Sequence, residues 1–197
     1  MTTGFTCKQP IQTTYKGYRF RSRLEARWAV FFETCSLPWV YEKEGYNLES
    51  GPYLPDFWLP SLKLWAEIKP EGTISENNHP KEASELIKVF ELAEETEYPA
   101  CLIEGTPGNE RIHFIADECT DSSGGLFYTN EARWVSCNGI ITLDLNRGRD
   151  HEIYTPGMTE WLPWFSFYQR HPTFRCPIKI AYQQARSARF EHGETFA

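Results

Sequence analysis

The stretch YLPDFWLPSLKLWAEIKP, residues 53–70, decides how the chain is read. Two apolar runs, YLPDFWL and LWAEIK, flank Pro60, Ser61 and Leu62, so the segment predicts a β-hairpin. A turn centred between Ser61 and Leu62 sets Asp56 directly across from Glu67. Residues so opposed share a face with Cβ atoms about 4.5–5.5 Å apart, and like charges there repel. The two-residue period of a strand puts Lys69 on the same face and turns Ala66 and Ile68 toward a core. Asp56, Glu67 and Lys69 are therefore expected to converge, and their conjunction calls for an explanation other than stability.

Paired carboxylates suit a hard divalent cation, Mg2+ or Mn2+, which takes oxygen ligands and keeps several waters. A lysine beside such a pair can hold or activate an attacking water and face the charge that develops on a phosphoryl group. Each residue alone has a plainer reading: Asp56 as a turn residue after Pro55, Glu67 and Lys69 as a salt-bridged row on an edge strand. The register carries the sharper one, since a slip of one residue would send the side chains to opposite faces.

Pro55-Asp56 followed by Glu67-Ile68-Lys69 resembles the PD-(D/E)XK nuclease superfamily, and FRSRLEARWAVFFE (20–33) is similar to its small phage or prophage members. The resemblance covers residues 15 to 116. It implies a restriction-endonuclease-like core in the order helix-β-β-β-helix-β, with Asp56, Glu67 and the backbone carbonyl of Ile68 holding Mg2+ or Mn2+. It further implies Lys69 as the catalytic lysine and Glu25, on the first helix, as an added catalytic glutamate. The expected activity is that of a hydrolase, a metal-dependent endonuclease acting on DNA in the cytoplasm, the host cytoplasm if the gene is phage-borne. A homodimer or a protein partner would supply the second site that double-strand cleavage needs. The alternative is a non-catalytic nucleic-acid-binding or protein-interaction module on the same fold.

Upstream of the hairpin, Ser22-Arg23-Leu24-Glu25 is a capping-box pattern, and Leu24, Trp28, Phe31, Phe32 and Cys35 follow helical spacing up to Pro38. Glu25 thus has a capping role open to it as well as a catalytic one. WVYEK (39–43) is a short β-rich run. Downstream, Pro80 suits the first position of a helix with Ala83, Leu86, Ile87 and Phe90 on its apolar face and Glu82, Glu85, Glu91, Glu94, Glu95 and Glu97 on its solvated side. ACLIEG (100–105) and RIHFIA (111–116) are strands, and the intervening helix permits a parallel pairing, giving a mixed α/β sheet flanked by helices. Residues 1–116 form the expected core. Residues 117–197 are a C-terminal extension or subdomain, with strand pieces at 126–128, 133–136 and 139–145, an aromatic WLPWFSFY (161–168), and a terminal helix in IAYQQARSARFEHG (180–193).

The chain as a whole has 197 residues, 41% hydrophobic and 15% aromatic, which excludes a disordered or fibrous class, and no apolar run approaches a membrane span. The first twenty residues lack an apolar stretch behind a charged start, so no secretory signal is expected. Six cysteines stand far apart with no CxxC pair. Cys119 and Cys137 could meet His113 or His171 around zinc, but their spacing does not favour it. His79, His113, His151, His171 and His192 are read as structural or surface residues.

Net charge is −7, yet the distribution is polarised. Lys8, Lys16, Arg19, Arg21, Arg23 and Arg27 make the first segment basic, with Glu25 the acid among them, and Arg170, Arg175, Lys179, Arg186 and Arg189 do the same at the far end. Lys16, Arg19, Arg21 and Arg23 are the candidate contacts to nucleic-acid phosphates. Trp58 and Trp65 share the face of Asp56 and Glu67 and are expected to pack rather than stack on bases. Glu71, just past Pro70, is expected in solvent.

Overall fold

A computed structural model describes residues 10–75, 83–117, 126–137, 140–147, 150–154, 162–163 and 177–190. The first element among the described residues is a hairpin of β1 (Thr13–Tyr15) and β2 (Tyr18–Phe20), to which the sequence assigns no strand. Its turn residues Lys16 and Gly17 both have positive φ, 47° and 79°, the type I′ geometry that suits a two-residue loop.

Helix α1 (Arg23–Thr34) follows with Ser22 as its N-cap, whose Oγ accepts the Glu25 N–H at 3.2 Å. Ala26, Trp28, Ala29, Phe31 and Phe32 are all buried, and Trp28 Nε1 donates to the Gly105 carbonyl at 3.0 Å. Burying each such aromatic side chain stabilises the fold by roughly 1.5–3 kcal/mol before conformational entropy is counted.

After α1 come β3 (Val40–Tyr41), a second small hairpin of β4 (Tyr46–Leu48) and β5 (Gly51–Tyr53), then β6 (Phe57–Leu59) and β7 (Leu64–Lys69). The expected first strand, 53–59, is therefore divided: Tyr53 ends β5 and Asp56 lies just before β6. Register is as predicted, with Phe57 opposite Ala66, Trp58 opposite Trp65 and Leu59 opposite Leu64. Two turn bonds close the hairpin, Leu62 N–H to the Leu59 carbonyl at 3.1 Å and Lys63 N–H to that of Pro60 at 3.2 Å.

Helix α2 (Ser84–Thr96) crosses to β8 (Ala100–Thr106), which runs parallel to β7, as the helix between them permits. The helix begins at Ser84, later than expected; Pro80 and Glu82 lie outside the described residues. Its buried face is Leu86, Val89, Phe90, Leu92 and Ala93, with Ile87 only half-buried, because the helix lies on the sheet along a stripe turned one position from the expected one.

Beyond residue 116 the sheet continues. β9 (Asn109–Asp117) pairs with β10 (Leu126–Cys137), then come β11 (Ile140–Arg147), β12 (Asp150–Ile153) and β13 (Leu162–Pro163), to make a nine-stranded sheet in the order β13-β12-β11-β10-β9-β8-β7-β6-β3. All neighbours in it are antiparallel except β7 and β8. The two expected pieces 126–128 and 133–136 form one strand, whose register shift between Thr129 and Ala132 absorbs the polar Asn130 and Glu131. Helix α3 (Pro177–Ser187) lies against α1. Most of the 161–168 segment lies outside the described residues.

The sheet is covered on both faces. One apolar cluster joins α1 and α3 to Phe57, Ala66, Ile68, Phe114, Trp134 and Leu143; the other joins α2 to Trp65, Leu102 and Ile115. Among the described residues no helix is long and apolar enough to cross a membrane.

Candidate active site

Asp56 precedes β6 and Glu67 sits in β7, one hydrogen-bonded strand from β8, so a rigid three-strand frame fixes both. They are buried, at 2% and 6% exposure. The Asp56 N–H donates to Glu67 Oε2 at 3.3 Å, and the Ile68 N–H donates to Asp56 Oδ2 at 2.8 Å. The β6 ladder ends at Phe57, so the Ile68 N–H, which would otherwise lack a partner on that edge, is turned to a side chain. In a strand the N–H and C=O of one residue point to the same edge. The Ile68 carbonyl thus faces the same side as Asp56.

Burial first, then the charges of Glu67 and Glu25, raise the Asp56 pKa well above the usual carboxylate range, against the Ile68 N–H and Arg21, which lower it. Two acids held together out of water are an electrostatic cost that a bound cation relieves. All the donors present are hard oxygens, which fit Mg2+ or Mn2+ and would not select a softer metal. Among the described residues no set of three or more His, Cys, Asp or Glu gathers in metal-ligand geometry. A two-carboxylate set suits an ion that keeps much of its own hydration.

Lys69 Nζ lies 3.0 Å from Glu67 Oε1 and 2.7 Å from Glu85 Oε2. Burial pulls its pKa down, but Glu67 and Glu85 outweigh this and raise it above the ordinary lysine value. Lys69 is therefore an ammonium at neutral pH. Glu85 is a correction to the sequence reading, which placed it on a solvated helix face. It is half-buried in the first turn of α2 and ties Lys69 to that helix, with Lys88 at 3.3 Å as its second cation. Tyr53 was missed too: its buried hydroxyl lies beside Glu67, and burial and that charge raise its pKa well above the ordinary tyrosine value.

Glu25 joins the site and caps as well. Its Oε1 accepts from Ser22 Oγ at 2.6 Å, and its Oε2 accepts from the Tyr41 hydroxyl at 2.6 Å and the Arg21 N–H at 3.1 Å. Tyr41 is a further residue the sequence did not mark. Burial and Glu25 hold its proton in place.

Glu25, Asp56, Glu67, Ile68 and Lys69 line a cleft of about 720 Å3 that also takes in Arg21, Arg23, Arg27, Pro70 and Glu71, while Tyr41, Tyr53 and Glu85 support these groups from behind it. Of the four predicted phosphate contacts, Arg21 and Arg23 reach it. Lys16 instead pairs with Glu33 at 2.6 Å, and Arg19 bonds Gln12, both on the exposed side of the first hairpin. The Lys16–Gly17 turn lies beside Glu33 at the last turn of α1, the helix end far from Arg23. Arg27, one turn after Arg23, takes their place. Glu71 is exposed at the rim and accepts from Asn109 Nδ2 at 3.3 Å.

Trp58 and Trp65 pack on each other with ring centroids 4.6 Å apart, and Trp65 is buried. His113 is an interior residue between Glu104 (2.8 Å) and the Tyr128 hydroxyl (2.7 Å). Cys119, His79, His171 and His192 lie outside the described residues.

Arg21 Nη2 forms an ion pair with Asp56 Oδ1, and its Nε holds Glu42 at 2.9 Å. A cation at Asp56 must compete with that guanidinium. Arg21→Ala is expected to tighten Mn2+ binding about tenfold, or ~1.4 kcal/mol, by calorimetry on the metal-free protein. It should also lower the melting temperature in chelator, since Asp56 then faces Glu67 and Glu25 without a cation. Unchanged Mn2+ affinity would show that Arg21 and the metal do not share Asp56.

Comparison with family models, with curated proteins and with solved structures returns no match to this chain.

Proposed function

We propose that the protein is a metal-dependent nuclease that hydrolyses phosphodiester bonds in DNA, an endonuclease of the kind carried by phages or mobile elements. The observation that carries this reading is the convergence of Asp56, Glu67 and Lys69 at the end of one hairpin, in a cleft that Arg21, Arg23 and Arg27 also line. Asp56, Glu67 and the Ile68 carbonyl would hold Mg2+ or Mn2+. When bound, the ion supplies Lewis-acid polarisation of the phosphate and lowers the pKa of water.

The chain's own groups do the rest. Arg23 binds the phosphate backbone at the cleft mouth and orients the strand, and Arg21 joins it when a cation takes its place at Asp56. Glu25, held by Tyr41 and Ser22, presents a fixed negative charge that orders water near Asp56. Lys69, kept protonated by Glu67 and Glu85, stands against the negative charge that grows on the non-bridging oxygens as water oxygen bonds to phosphorus. The bond from phosphorus to the leaving oxygen breaks, that oxygen takes up a proton, and the water gives one up. One end of the cut keeps the phosphate and the other carries a hydroxyl.

The test is cleavage of supercoiled plasmid, linear duplex and branched DNA in Mg2+, Mn2+ or EDTA, with Glu67→Ala beside the wild type. Cutting that needs metal and vanishes in the variant supports the reading. If well-folded protein binds Mn2+ and DNA but cuts no substrate, the non-catalytic binding module replaces it.

A further inference from the structure

Helix α3, from the C-terminal part of the chain, is fixed along α1 by specific contacts. The Tyr182 ring stacks on Phe31 with centroids 5.0 Å apart, and Thr34 Oγ1 donates to Gln184 Oε1 at 2.8 Å. Buried Ile178, Ala181 and Ala185 complete the seam. This docking has an electrostatic consequence that packing does not require. It brings Arg186 and Arg189 to Arg23 and Arg27, which stand one turn apart on the same side of α1.

The four arginines surround a cavity of about 280 Å3. Among the described residues none of the four forms a salt bridge with a carboxylate. The acid that Arg186 does influence, Glu110, has its oxygens taken by the Tyr182 hydroxyl and, at 2.5 Å, by the Gly108 N–H. Among the described residues the Nε atoms of Arg23 and Arg27 are buried and have no hydrogen-bond partner. Four like charges around one hollow, with donors that neither protein nor open water satisfies, are a net cost to the fold. An anion with several oxygens removes both costs, because a guanidinium fork matches phosphate bidentately.

Arg23 and Arg27 also line the cleft of Asp56 and Glu67, so the two hollows share a wall. We infer that the four-arginine cavity is a second phosphate subsite, which holds a backbone phosphate of the DNA strand next to the one presented to Asp56 and Glu67. The inference rests on the nuclease reading for its ligand's identity. It gives the C-terminal part a role, since α3 and the residues just after it supply half of the subsite.

The experiment compares wild type with an Arg186→Ala/Arg189→Ala double variant and with the double lysine variant, which keeps charge and so controls for misfolding. Thermal melts with added inorganic phosphate at fixed ionic strength read the anion site itself. Wild type is expected to gain stability, the alanine variant to gain none and the lysine variant to gain part. Anisotropy of a labelled duplex in EDTA reads the DNA. The alanine variant should bind about tenfold more weakly, with the slope of log affinity against log salt shallower by about 1, one phosphate contact fewer.

Equal phosphate protection and an unchanged salt slope, in a variant that cuts plasmid normally, would overturn the subsite and leave the nuclease reading standing. Phosphate protection lost in the variant, with a wild type that neither binds nor cuts DNA, would keep the anion site and overturn its assignment to DNA, together with the nuclease reading.

Discussion

Asp56→Asn is expected to abolish cleavage, by about 10^3-fold or more, while the metal-free protein becomes more stable. The two effects have opposite signs because the same crowding that suits a cation is a strain without one. Asp56 lies among Glu67, Glu25 and low-dielectric surroundings that raise its pKa well above normal. In the unfolded chain its carboxyl ionises near pH 3.9. The folded protein therefore binds more protons than the unfolded one above that pH, and stability falls as pH rises until the folded carboxyl ionises too. Asparagine carries no such penalty, keeps an oxygen for the Ile68 N–H, and leaves Arg21 its partner Glu42. In chelator at pH 7–8 the variant should gain about 1 kcal/mol, a gap that closes toward pH 4. Mg2+ in hundredfold excess over its dissociation constant should reverse the order, by adding about 2.7 kcal/mol to the wild type alone. Denaturant melts across pH, with and without metal, measure all three. A variant less stable than wild type in chelator at every pH would mean that Arg21 more than offsets the carboxylate crowding.

The hairpin at the centre of the site was legible because it rests on local rules. A period of two and a turn at Pro60 set the register, and the register sets Asp56 beside Glu67. The α1 cap was legible for the same reason. What the sequence did not show depends on elements far apart in the chain. Arg21 reaches an aspartate 35 positions away, across a hairpin whose three-residue strands are too short to display a period, although Lys16-Gly17 was a turn signal. Glu85 read as surface because helical periodicity says which side of α2 faces the sheet, not which strand end the first turn meets. The single strand β10 read as two because a register shift hides the polar pair Asn130 and Glu131 from any count of alternation. Arg186 and Arg189 meet Arg23 and Arg27 only through the docking of α3, which no local pattern encodes.

Lys69 presents the sharpest chemical choice, between a base that takes a proton from water and a cation that stabilises charge. Its ammonium is bracketed by Glu67 and Glu85 at 3.0 and 2.7 Å, and both raise its pKa. A group so held is fully protonated from pH 6 to 9, so a base role would leave a minute active fraction and a rate rising tenfold per pH unit. The geometry favours the cation, and Lys69→Ala is expected to lower kcat about 10^2 to 10^3-fold, the usual worth of one preorganised charge-stabilising donor, with little change in Mn2+ affinity. The deficit should be constant from pH 6 to 9, since the group removed does not titrate there. Lys69→Arg, which keeps a charge no base could use, should recover part of the rate. Glu85→Gln supplies the complementary arm: it keeps a hydrogen-bond acceptor but removes one of the two negative charges, which lowers the Lys69 pKa toward its ordinary value. Under a cation role that change costs only a few-fold in rate and leaves the pH profile flat, whereas a base would become more effective and the rate would rise. Single-turnover cleavage of one labelled duplex by the four proteins across this pH range separates the two roles, and an arginine variant as inactive as alanine, with a rate that climbs in Glu85→Gln, would assign Lys69 to proton transfer.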